Sequence, residues 1–111
     1  MSSASPFLPG ILLATCGSLT EASSISRALV KEKLVACAQI KEIQSIYTWK
    51  DQVCEEAEFQ ITAKINLEEF ERVESRIKSL HSYDVPEIIA FPIAKGHLPY
   101  LKWMQAETTT K

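Results

Sequence analysis

The chain predicts an α+β fold, a ferredoxin-like βαββαβ sandwich followed by a short C-terminal helix. Three observations carry that reading. Phe59, Ile61, Ala63 and Ile65 alternate with Glu58, Gln60, Thr62 and Lys64, the period-two signature of a strand with one buried face. Apolar residues recur at helical spacing in two other stretches, one before that strand and one after it. Short apolar runs at 11–15 and 88–93 supply the outer strands.

Each element follows in order. Residues 11–15 lie between Gly10 and Gly17 and form the first strand, with residues 1–10 a polar, proline-bearing tail. Thr20 is the expected N-cap of a helix over 21–35, with Glu21 in its first turn and Ile25, Leu29 and Ala36 on its inner side. Ile46, Tyr47, Thr48 and Trp49 are β-branched or aromatic and predict a second strand. Lys50-Asp51-Gln52 is a polar turn into the alternating third strand, so the two strands pair as a hairpin. Asn66 opens the second helix, with Glu69 as its capping-box partner. Phe70, Val73, Ile77 and Leu80 form its apolar stripe, and Glu68–Arg72 and Glu74–Lys78 pair across its surface. Pro92 assigns the last strand to an edge or a bulge. Pro99 starts a short helix carrying Tyr100, Leu101, Trp103 and Met104, so the domain spans 11–107 and leaves 108–111 as a tail.

Bulk properties exclude several functions. A net charge of -2 with interleaved acids and bases gives no basic stripe for nucleic acid and no polybasic block for a membrane surface. No run of about eighteen apolar residues exists to span a bilayer, and the N-terminus lacks a basic secretory n-region. Cytoplasmic residence is the expectation. Cys16, Cys37 and Cys54 are odd in number and widely spaced, which argues against structural zinc and for reduced thiols. Ile88, Ile89, Ala90 and Phe91 are apolar in succession, so both faces of the last strand call for burial and self-association is expected.

The candidate site is the loop His81-Ser82-Tyr83-Asp84-Val85-Pro86-Glu87, where an imidazole, a phenol and two carboxylates stand before a buried strand. Pro86 stiffens it and holds Val85 extended. His81 has two readings, a stabiliser of the second helix's C-terminus or a ligand to metal. Cys37 is a small buried hydrophobe or a metal ligand, and Lys64 lines an interface or contacts a ligand. No catalytic constellation emerges from the spacing, so the chain is read as a binding protein and not an enzyme.

Four segments then fall into a known pattern. Lys33-Leu34-Val35-Ala36-Cys37-Ala38, Ser45-Ile46-Tyr47-Thr48-Trp49, the loop from His81 to Ala90, and Gly96 with Tyr100-Leu101-Lys102-Trp103 together resemble the CutA divalent-cation tolerance family. The resemblance implies a tight homotrimer of ferredoxin-like domains, architecturally similar to the PII signalling proteins. It implies a role in the response to metal ions, with copper or another divalent cation as ligand. The alternative by analogy with PII is a regulator binding a small anion between subunits. Lys64, His81, Tyr83, Glu87 and Trp103 fall at matching positions and are the implied cleft residues. Copper in some members is assigned to a cysteine ending the first strand and to an adjacent His-His pair. A gapless match places Ala14 and Leu80-His81 there, which leaves His81, with Cys37 as a supplementary donor. The family's His-Pro-Tyr-Glu reads His-Ser-Tyr-Asp here, with Ser82 in the proline's place.

Overall fold

A computed structural model describes residues 6–108. The order is β1 (Pro9–Cys16), α1 (Leu19–Lys31), β2 (Cys37–Trp49), β3 (Gln52–Asn66), a 3-10 turn (Leu67–Glu69), α2 (Phe70–Leu80), β4 (Ile88–Pro92) and α3 (Leu98–Glu107). The strands form one sheet in the order β2-β3-β1-β4, antiparallel at every step. The predicted α+β, ferredoxin-like plan is the observed one, and Pro92 lies on an edge strand as expected.

Period two sorts the sheet into two faces. Leu12 and Ala14 of β1 and Ile61, Ala63 and Ile65 of β3 are fully buried against Ile25 and Leu29 of α1 and Val73 and Ile77 of α2. Burying each large aliphatic side chain stabilises the fold by about 1.5–3 kcal/mol. The intervening residues Ile11 and Leu13 face the other side, with Thr62 and Lys64 opposite them. Ile89 and Phe91 of β4 join that open face, 51% and 43% exposed.

Several boundaries differ from the sequence expectation. β1 begins at Pro9, because Pro9 and Gly10 pair with Asn66 and Ile65 and Leu8 N–H donates to Asn66 Oδ1 at 3.0 Å. Of the expected tail, residues 1–5 lie outside the described residues, as do residues 109–111 at the other end. Ser18, not Thr20, caps α1: its Oγ accepts from Glu21 N–H at 3.1 Å. The helix stops at Lys31 and not at 35. Lys33 adopts φ 62°, its N–H bonds to Val30 O, and Leu34 N–H bonds to Leu29 O, a Schellman closure without glycine. Leu34 and Val35 are thereby buried outside the helix.

β2 starts at Cys37, well before the predicted 46. Apart from half-buried Ile43, its residues 41–49 are polar or exposed on both faces because the hairpin outruns the helices that cover the rest of the sheet. The hairpin gives the molecule its long axis, 54 × 27 × 23 Å. Its turn needs only Lys50 and Asp51, at φ 51° and 64°, the two left-handed residues whose twist matches the strands. Asn66 Oδ1 accepts from Glu68 N–H, but it opens a 3-10 turn before α2, and Glu69 pairs with Arg72 at 2.8 Å.

The corrected cap gives a direct test. Ser18→Ala is expected to cost about 1 kcal/mol in urea unfolding, whereas Thr20→Ala, exposed and outside the cap, leaves stability nearly unchanged.

Candidate functional site

The loop after α2 folds over the end of the sheet and is tied to three elements. His81 Nε2 lies 2.7 Å from Thr15 O at the end of β1. Its Nδ1 accepts from Tyr83 N–H at 3.0 Å, so the tautomer with hydrogen on Nε2 satisfies both atoms. The ring is fully buried, and Glu21 Oε2 stands 3.8 Å from Nδ1. From the C-cap position of α2, His81 thus clamps the loop to β1. A metal at this imidazole would have to displace one of its two partners.

Ser82 adds a second tie, donating its N–H and its hydroxyl to the Glu21 carboxylate at 2.7 and 3.0 Å. A proline here has no N–H to give, so the first of these bonds exists because the chain departs from the family pattern at this residue. Tyr83 supplies the third. Its hydroxyl donates to Glu58 Oε2 at 2.7 Å, and Glu58 is buried at the third strand's polar register. Burial first, and that carboxylate second, push the Tyr83 phenol well above its usual range. Tyr47 donates in the same way to Glu56, and that bond pushes its phenol up to about 12.

A cavity of about 520 Å³ lies between this loop and the turn-proximal half of the hairpin. Glu56, Glu58, Asp84 and Glu87 line it, with Tyr47, Trp49 and Tyr83 among its apolar walls. Sequence reasoning placed Tyr83 and Glu87 here. It missed Tyr47, Trp49 and Glu58, which come from β2 and β3; their same-face register with Glu56 was the available signal.

The remaining predicted residues lie elsewhere. Lys64 faces Cys37 across the β2–β3 ladder, and its Nζ donates to Gln39 Oε1 at 3.0 Å and stands 3.9 Å from Cys37 Sγ. Tyr100 of α3 approaches the same sulfur at 3.6 Å, and Trp103 stacks 5.4 Å from the Tyr100 ring. Burial first, and the Cys37 thiol second, raise the Tyr100 phenol to about 12. Cys37 is half-buried in this polar corner, so it is not the core hydrophobe of the first reading. Thr15 pairs with Gln60, four residues from Lys64 along β3, so His81 and Cys37 lie at opposite ends of the sheet, about 13 Å apart along the strand. Among the described residues no three His, Cys, Asp or Glu side chains converge to hold a metal ion.

The other family positions are closed to a ligand. Ala14 and Cys16 share the helix-covered face of β1 and both are fully buried. Burial, then Glu21 and Glu58, push the Cys16 thiol up to about 11. Leu80, beside His81, carries no donor.

Fold and site together define a small ferredoxin-like domain with an acidic, aromatic cavity at one end of its open sheet face. The chain belongs to the CutA1 divalent ion tolerance family, whose model matches residues 10–107. The divalent-cation tolerance protein CutA of Thermus thermophilus is 40% identical over 99 residues, covering 88% of this chain and 96% of that protein. Human protein CutA is 36% identical over 110 residues, covering 96% of this chain but 62% of the human protein. Among solved structures, the periplasmic divalent cation tolerance protein CutA of Archaeoglobus fulgidus superposes with a TM-score of 0.90 at 32% identity, covering 92% of this chain and all of that one. The Thermus thermophilus structure gives 0.88 at 39% identity over the same share of this chain.

Cys16 provides the pH test. An acid whose pKa rises on folding leaves stability unaffected below its ordinary value of 9.0 and lowers it as pH climbs toward the folded value near 11. Stability is therefore expected to fall over about pH 9–11, and Cys16→Ala to flatten that fall. At pH 8, a thiol reagent is expected to spare Cys16 until denaturant is added.

Proposed function

We propose that the chain acts in the response to divalent metal ions by binding them rather than by catalysis, as a homotrimer in the cytoplasm. The observation that carries the reading is the division of the donors. Cys37 stands at one end of the sheet and the carboxylates at the other, and neither group forms a metal shell within one chain. The face between them exposes Ile89 and Phe91, while α3 meets it at the Cys37 end through Tyr100. Packing copies through that face buries its apolar surface and brings the ends of different chains together. Copper suits a thiol and an imidazole better than carboxylates alone. Three free thiols accord with a reducing compartment. No helix among the described residues is long and apolar enough to cross a membrane.

A second reading rests on Lys64, whose partners among the described residues are a neutral amide and a thiol, with no carboxylate. Such an ammonium attracts a small anion, as the PII analogy implies.

Copper titration into anaerobic, reduced protein, with light scattering on the same sample, tests both. Expected are a trimer mass and submicromolar binding that Cys37→Ser weakens about tenfold, or 1.4 kcal/mol. His81→Ala reports whether the imidazole takes part. A monomer mass sinks the assembly, and no copper binding shifts the weight to the anion.

A further inference from the structure

The cavity between the hairpin and the loop has a chemistry that the metal reading does not use. We propose that it binds an organic polycation, with a linear aliphatic polyamine as the ligand class. Four of its lining side chains are carboxylates and none is Lys, Arg or His. Their arrangement is the deciding feature. Glu56 and Glu58 stand two residues apart on one face of β3, about 6.6–6.8 Å along the strand, and Asp84 and Glu87 belong to the loop opposite.

Negative charge is thus spread along walls and does not converge on a point, so a single metal ion finds no closed shell. A chain of ammonium groups joined by short methylene spacers meets the carboxylates in turn. The spacers need apolar contact, which Ile46 and Val85 supply, and an ammonium over the face of Tyr47, Trp49 or Tyr83 gains cation–π attraction. A cavity of about 520 Å³ is of small-molecule size. The two tyrosines hold Glu58 and Glu56 in place through their hydroxyls, so the charged wall is fixed before a ligand arrives. A polyanion is repelled by the four carboxylates.

Titration of spermidine, a linear triamine, into the full chain at low salt tests the site. Saturable micromolar binding is expected, one per chain, with quenching of tryptophan fluorescence that Trp49→Phe abolishes. The double variant Glu56→Gln/Glu87→Gln, exposed at both positions, is expected to weaken binding at least about tenfold. Glu42→Gln/Glu55→Gln removes the same charge outside the cavity and is expected to leave binding unchanged. Raising salt toward about 200 mM is expected to weaken it as well. No saturable heat up to millimolar spermidine overturns the proposal. Equal weakening by both double variants overturns it too, since that is general attraction to an acidic chain. Copper binding at Cys37 is read separately and stands or falls without this result.

Discussion

The pairing of β1 with β3 is the constraint on which the rest depends. Pro9–Cys16 lies at the centre of the sheet, with β3 on one side and β4 on the other. Its register sets which residues face the helices and which face outward, and a slip by one position would exchange the two sets. In the observed register Leu12 and Ala14 enter the core together with Ile61 and Ala63. The same register carries Lys64 and Glu58 to opposite ends of the open face. Core and site are therefore two readouts of one alignment.

The loop over the end of the sheet inherits its shape from that alignment. Thr15 O is where His81 docks, and Glu58 is where Tyr83 docks. Thr15 is at the end of β1, and Glu58 is one residue past the last β1–β3 pair, Cys16 with Phe59, where β3 runs on beyond β1. Glu21 completes the tie from α1 by holding Ser82. Three elements far apart in sequence thus fix a loop of seven residues, whose backbone is half-exposed and has no regular hydrogen bonding of its own. Its stiffness comes from side-chain bonds in addition to Pro86.

How much of this was legible in the chain depends on the range of the interaction involved. The alternation at 58–65 and the stripe of Phe70, Val73 and Ile77 are local periodicities, and both elements fall where the periodicities place them. Lys33 was illegible for a physical reason: a left-handed helix end is normally announced by glycine, and here a lysine takes that conformation. The first half of β2 was hidden because residues 41–45 have no consistently buried face to generate a pattern. Of the candidate site, the sequence pointed to the loop and to Cys37 and Lys64, but not to their separation. Pairings such as Cys37 with Lys64, or Tyr83 with Glu58, arise from register across the sheet and leave no trace in local spacing.

The position of β1 also bears on how the chain is made. Within this domain β1 is made before its ladder partners, β3 and β4, which follow some fifty and eighty residues later. The hairpin β2–β3, by contrast, closes locally through a two-residue turn. The nascent chain therefore carries an apolar strand without a neighbour until most of the domain has been translated, and pairings of such sequence separation are slow to form. Contact order alone thus favours the hairpin closing before β1 is added to it.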